Sequence, residues 1–179
     1  MRIISGTHKG RLIKIPAGLK LRPTTDNARE GLFNILNNIL DYNGLRVLDL
    51  FAGTGSISYE FASRGAGTVH SVELNSKHTA FIVNTVHRLD FQSIRIFRSD
   101  VRRYLKRTAH VYDVIFADPP YNLEWLSEIP GMVFRSNCLE SGGLMILEHP
   151  RNHSFNNHQY FSEHRKYGSV NFTFFRIPL

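Results

Sequence analysis

Cysteine is almost absent from this chain. Cys138 stands alone among 179 residues, which excludes an internal disulfide and a thiolate cluster for zinc. Long apolar runs are missing too: none approaches the roughly 18–20 residues needed to cross a bilayer. The opening, MRIISGTHKG, lacks the apolar stretch of a secretory leader, so a cytoplasmic protein is expected. Acidic residues are scarce at the two ends. Residues 1–29 carry seven basic and one acidic side chain, residues 30–150 carry 11 and 13, and residues 151–179 carry four and one. The net charge of +7 therefore sits at the ends. A near-neutral middle behind a basic opening suggests a catalytic or binding domain with an attached grip for a polyanion, against the plainer alternative of a solvated basic surface.

A length of 179 residues with 42% apolar side chains is enough for one domain with a real core. TTDNAREGLFNILNNIL predicts a helix capped by Thr25 or Asp26, with Leu32, Ile35, Leu36, Ile39 and Leu40 at helical spacing. From Arg46 the pattern alternates. RVLDLF, TVHSVE, SIRIF, DVIFA and LMILEH read as strands; Ser56 to Arg64, Ser76 to Leu89, Val101 to Arg107 and about Leu123 to Phe134 read as the helices between them. Such alternation predicts right-handed crossovers and a parallel sheet covered on both faces. QYFSEHRKYG and VNFTFFRIPL, meeting at Gly168 and Ser169 with no helix between, predict an antiparallel hairpin at one edge.

In a doubly wound sheet the ligand lies beyond the carboxyl ends of the strands. The first strand ends in VLDLFAGTGSIS, where Gly53 and Gly55 permit a tight turn and close approach of a ligand to the backbone. Ser58 holds the place of a third small residue, as a dinucleotide site would have it. Asp49 just ahead of the glycines is expected to direct a carboxylate toward the ligand, which disfavours a pyrophosphate and suits the cationic S-adenosylmethionine. Glu73, ending the second strand, is a candidate for the ribose hydroxyls, and Asp100, after the third, for the adenine amine. Each acid alone also fits a helix cap or a surface charge.

DVIFADPPYN sets a stiff loop at the end of the fourth strand, because each proline fixes its own φ and restricts the residue before it. Methyl transfer to an exocyclic amine of a nucleobase needs the nitrogen held in line with the methyl carbon. Asp118 and a main-chain carbonyl freed by the prolines can accept its N–H bonds, and Tyr121 can stack on a base held out of its helix. An ordinary proline turn is the alternative. Glu148 and His149 end the fifth strand; His149 reads as structural, and no metal is expected, since Pro150 interrupts the helix that would bring His149 and His153 onto one face.

VLDLFAGTGS, VE, SD and DPPY, in that order, resemble class I methyltransferases that modify exocyclic amines of nucleobases. RIISGTHKGRLIKIP and LRPTTDNAREGLFNIL resemble the amino-terminal signature of the RsmD family, bacterial 16S rRNA guanine-N2 methyltransferases. The resemblance implies a Rossmann-like fold with a seven-stranded, mostly parallel sheet, one methyltransferase domain with residues 1–25 as a basic RNA-binding extension, S-adenosylmethionine as donor, and the small ribosomal subunit as substrate. It implies a monomer without membrane or metal, acting on guanine 966. Carried over residue by residue, Asp49, Gly53, Gly55, Glu73 and Asp100 hold the cofactor, Asp118, Pro119, Pro120 and Tyr121 form the catalytic loop, and Arg2, Lys9, Arg11, Arg22, Thr24 and Arg29 hold RNA. The competing readings are an N6-adenine DNA methyltransferase with the same loop chemistry, a non-catalytic RNA-binding assembly factor on this fold, and, more remotely, a nicotinamide oxidoreductase.

Overall fold

The computed structural model describes residues 1–19 and 26–179. Along the chain come α1 (Asp26–Leu36), β1 (Arg46–Leu50), α2 (Ser56–Ser63), β2 (Thr68–Glu73), α3 (Ser76–Leu89), β3 (Ile94–Arg98), α4 (Val101–Arg107), β4 (Tyr112–Ala117), α5 (Ile129–Arg135), β5 (Leu139–His149), β6 (Phe161–Tyr167) and β7 (Val170–Arg176). The seven strands form one sheet in the order β3-β2-β1-β4-β5-β7-β6. β1 to β5 pair in parallel, whereas β7 runs antiparallel to both β5 and β6. The expected mostly parallel sheet with a carboxyl-terminal hairpin is thus present, with its order reversing between β1 and β4.

The central strands are buried on both faces, so they read as continuous apolar runs. One core, with Leu32, Phe33, Leu36, Val47, Phe61 and Val69, joins α1, α2 and α3 to the sheet; the other, with Leu48, Leu50, Tyr104, Ile115, Ile129 and Leu147, joins α4 and α5 to it. α1 turns Ala28, Leu32, Phe33 and Leu36 inward at helical spacing. A methyl group on Gly31 of that helix would lie 2.3 Å from the ring of Tyr167, so the glycine admits the end of β6 against α1. The Tyr167 hydroxyl completes the contact by donating to the Gly31 carbonyl at 3.2 Å.

Several boundaries differ from expectation. α1 ends at Leu36 rather than Leu40, and Ile39 is 44% exposed. The segment from Leu123 is no continuous helix: a 3-10 turn over Leu126–Glu128 leads into α5 with a proline in its first turn. β5 begins at Leu139, and its pairing with β4 shifts between Tyr112 and Val114 before Leu144 resumes the ladder. The irregular stretch, with Glu140, Ser141 and two glycines, carries no strand pattern in the sequence. Among the described residues no helix is long and apolar enough to cross a membrane.

The basic opening is docked on the body. Ile3 and Ile13 are 2% and 1% exposed and belong to the α1–α3 core. Arg2 and Leu12 form an antiparallel bridge, and the turn between is fastened to the end of α2, where Thr7 N–H donates to the Ser63 carbonyl at 2.7 Å. Arg2, Lys9 and Arg11 remain exposed.

Candidate active site

The parallel register places the carboxyl ends of β3, β2, β1, β4 and β5 in one row. Leu50 faces both Val72 and Ala117, Ala117 faces Leu147, and Glu73 faces Arg98. Main-chain hydrogen bonds continue past the strand ends: Ala52 N–H to the Val72 carbonyl at 3.0 Å, Ser99 N–H to the Glu73 carbonyl at 3.1 Å, and Asp118 N–H to the Leu50 carbonyl at 3.4 Å. The loops that carry the candidate residues are therefore held side by side by the sheet itself.

The loop after β1 is tightly wound. Phe51, Gly53 and Gly55 have φ of 61°, 57° and 80°, a left-handed conformation that is uncommon for phenylalanine. A Cβ on Gly55 would lie 2.7 Å from the Tyr59 ring, so the fold itself requires glycine there, besides any ligand. Gly55 is also the N-cap of α2 and has no side chain to satisfy the helix's first amides. Asp49 supplies what is missing. Its Oδ2 accepts from Ser58 N–H at 3.1 Å and Ser58 Oγ–H at 2.5 Å, and Ser58 Oγ in turn meets Ser71 Oγ at 2.7 Å.

This corrects the expected role of Asp49. It is 2% exposed and directed beneath α2, so it caps that helix from the sheet and does not present a free carboxylate to a ligand. Burial pushes its carboxyl up to about 7, against the pull of the Ser58 hydrogen bonds, with the nearby Glu73 charge adding to the rise. Ser58 is small for a second reason besides packing: its hydroxyl binds this acid.

Glu73 closes the loop from β2. Oε2 accepts from Gly53 N–H at 2.9 Å and Oε1 from Asn75 N–H at 2.7 Å. Asp100 is the N-cap of α4, its Oδ1 accepting from Arg103 N–H at 3.1 Å, with Arg102 Nε 3.6 Å away. Both acids thus perform a local capping task at the ligand edge.

On the other side of the switch, Pro119 is buried and Pro120 exposed, and Leu123 N–H donates to the Pro120 carbonyl at 2.9 Å. The Tyr121 hydroxyl donates to Glu148 Oε1 at 3.1 Å, so a residue 27 positions away fixes the tilt of that ring. Glu148 is 3% exposed at the end of β5. Its neighbour His149 is turned into the protein: Nε2 meets Thr173 Oγ1 at 2.8 Å, and burial pulls its pKa down. Nothing in the sequence pattern singles out Trp125, yet its ring lies 5.9 Å from Phe51 of the β1 loop and 4.8 Å beneath the Arg102 guanidinium.

Of the residues expected to hold RNA, Arg22 and Thr24 lie outside the described residues. Arg29 is corrected. It is 1% exposed, and its guanidinium donates to the Arg2 carbonyl at 2.6 Å and to Asp26 at 2.9 Å, with Glu60 at 3.5 Å. Buried Glu60 is shared with Arg64 and accepts from Ile4 N–H at 2.8 Å. Arg29 therefore joins the opening segment to α1 and α2 and is not available to a phosphate.

The family described as Conserved hypothetical protein 95 matches residues 1–176. YlbH of Bacillus subtilis (strain 168) is 35% identical over 155 residues, 84% of this chain and 83% of that one. The chain belongs to the RsmD family of methyltransferases. Ribosomal RNA small subunit methyltransferase D of Escherichia coli (strain K12) is 29% identical to this RsmD-family chain over 148 residues, 83% of this chain and 74% of its own. Among solved structures, a hypothetical protein of Thermus thermophilus has a TM-score of 0.86 and 29% identity, covering 100% of this chain and 99% of that one.

The edge of the RsmD-family sheet suits S-adenosylmethionine, which carries two cationic groups, a ribose and an adenine but no phosphate. Residues 51–56, FAGTGS, include no basic side chain to meet a pyrophosphate. Each Glu73 oxygen gives one lone pair to a main-chain amide, and a carboxylate offers about four, so acceptors are left for two ribose hydroxyls.

Proposed function

We propose that this protein transfers a methyl group from S-adenosylmethionine to the exocyclic N2 amine of a guanine in small-subunit ribosomal RNA, with guanine 966 as the position that the family resemblance names. The observation that carries this reading is the placement of the Asp118–Tyr121 loop. It leaves β4 beside the β1 loop, tied to it through Leu50, with Tyr121 fixed by Glu148. The names of the relatives support ribosomal RNA of the small subunit as the substrate class, and a cytoplasmic protein is the reading that agrees with such a substrate.

When bound, S-adenosylmethionine supplies an electrophilic methyl group on a sulfonium, whose sulfur departs as a neutral thioether. Glu73 binds its ribose, and the Gly53–Gly55 turn brings main chain close to it. Asp118 and a main-chain carbonyl of the loop accept the two N–H bonds of the guanine amine, orienting its lone pair toward the methyl carbon and favouring a pyramidal nitrogen. As the new C–N bond forms, the nitrogen becomes cationic and its surplus proton passes to Asp118 or to water. Tyr121 stacks on the extruded base. Residues 1–25 hold the RNA as an extension of the one methyltransferase domain, through exposed Arg2, Lys9 and Arg11, with Arg22 and Thr24.

The test uses radiolabelled S-adenosylmethionine with three substrates: small subunits lacking the modification, naked small-subunit rRNA, and duplex DNA, each digested to nucleosides. Label in N2-methylguanosine is expected. Label only in N6-methyladenine of DNA would keep the fold and the loop chemistry and overturn the substrate. No label anywhere would favour an assembly factor.

A further inference from the structure

The near-neutral charge of residues 30–150 conceals an uneven distribution. Residues 92–110, QSIRIFRSDVRRYLKRTAH, hold six basic side chains and one acidic one. Arg95 and Arg98 lie on β3, the edge strand of the sheet, and Arg102, Arg103, Lys106 and Arg107 on α4. All six are exposed. Among the described residues only Arg102 of these six has a carboxylate within ion-pair range, Asp100 at 3.6 Å.

α4 is amphipathic in charge. Val101, Tyr104 and Leu105 are buried against the sheet, so positions 102, 103, 106 and 107 fall together on the outer face. This arrangement costs local stability. Arg102 and Arg103 stand in the first turn, where the helix dipole disfavours cations, and the pairs Arg102/Lys106 and Arg103/Arg107 place like charges four residues apart. Arg102 is compensated by Asp100 and by the Trp125 ring, but the Arg103/Arg107 pair has no carboxylate within ion-pair range among the described residues. A local rule broken in this way marks a surface kept for another purpose.

The surface is continuous with the site. α4 starts at Asp100 on the ligand edge, and the Arg102 guanidinium covers Trp125, whose ring meets Phe51 of the β1 loop. It contains none of the large apolar side chains exposed on the protein, which are Leu12, Ile39, Leu74 and Leu179 among the described residues. A stable protein partner needs an apolar centre to its interface, whereas a phosphate backbone needs only cations.

We propose that the outer face of α4, with Arg95 of β3 on the same side of the sheet, is a second docking surface for the phosphate backbone of the RNA substrate, separate from the opening segment. The proposal rests on the RNA-methyltransferase reading above. It gives the enzyme a second grip on the RNA, one that starts at the ligand edge with the first turn of α4. Contacts of this kind supply affinity and register, with no sequence information.

The test is Arg103→Gln/Arg107→Gln, with Arg103→Lys/Arg107→Lys as the charge-conserving control. Neutralisation removes a repulsive pair, so the melting temperature holds or rises. Binding to undermodified small subunits and to naked small-subunit rRNA is measured between about 50 and 200 mM salt. The neutral variant is expected to bind roughly tenfold or more weakly and to lose about two from the logarithmic salt slope, one per phosphate contact. Its kcat at saturating RNA and its affinity for S-adenosylmethionine stay unchanged, and the lysine variant behaves like the wild type. An unchanged slope and affinity would overturn the proposal, as would a lysine variant as impaired as the neutral one, or a loss confined to kcat or cofactor binding. If the wild type binds RNA but transfers no methyl group to it, the functional reading falls, while the binding comparison still decides the surface.

Discussion

The two halves of the sheet's ligand edge are built by different means. On the β1–β3 side every candidate acid accepts from a main-chain amide nearby: Asp49 from Ser58, Glu73 from Gly53 and Asn75, and Asp100 from Arg103. On the β4–β5 side the decisive contact joins two side chains 27 residues apart, the Tyr121 hydroxyl and Glu148. The first half is shaped by capping of the elements that leave it. The second is shaped by strand pairing, because only the parallel register of β4 on β5 brings Ala117 beside Leu147 and so the two loops together. Cofactor geometry and transfer geometry should therefore fail separately when residues on either side are changed.

The sharpest separation comes from Asp118→Ala. It removes the acceptor proposed to orient the amine and to take its proton, and leaves the β1–β3 loops untouched. Loss of one preorganised charge-stabilising group costs on the order of 10²–10³ in kcat. Methyl transfer to undermodified subunits is expected to fall by about that factor, with S-adenosylmethionine affinity, read by calorimetry, little changed. An equal loss of cofactor affinity would show that the two halves are one unit.

On the cofactor side the expected effect is on stability. Asp49 has its carboxyl pushed up to about 7 in the folded protein, against 3.8 ordinarily. The folded state therefore holds a proton that the unfolded state releases between these values. The resulting stabilisation is fully present below about pH 4 and is lost as pH rises through about 7, a change of at most about 4 kcal/mol. Asp49→Asn keeps an oxygen for Ser58 but cannot ionise. Denaturant unfolding at about pH 5 and about pH 8, on either side of the folded-state value, should show a clear fall with pH in the wild type and a much flatter response in the variant. Parallel slopes would mean that the proton resides elsewhere.

The contrast between local and distant contacts also explains what can be read from the sequence. Strand order, the glycine turn and the acids ending β1, β2 and β3 follow from alternation and capping, which are local patterns. The actual direction of the Asp49 carboxylate does not, since it depends on Gly55 leaving the N-cap of α2 empty. Arg29 resembles a phosphate ligand in the sequence because its buried partner Glu60 lies 31 residues on, in another helix. Counting charge over residues 30–150 hides the cationic face of α4, since acids elsewhere balance it. The start of β5 at Leu139 is illegible because strand pairing overrides its weak local propensity.

The smallest expected effect tests the non-local contact itself. Tyr121→Phe keeps the ring proposed to stack on the base and removes the hydroxyl that binds Glu148 at 3.1 Å. If the hydroxyl serves only to set the tilt of the ring, kcat should fall a few-fold. Tyr121→Ala should cost more, about ten- to a hundredfold in kcat/KM, since stacking of one base contributes about 1–3 kcal/mol. A phenylalanine variant as impaired as the alanine variant would shift the weight from the ring to the Tyr121–Glu148 pair, and the strand pairing that joins the β4 and β5 loops would then set catalysis more than base stacking does.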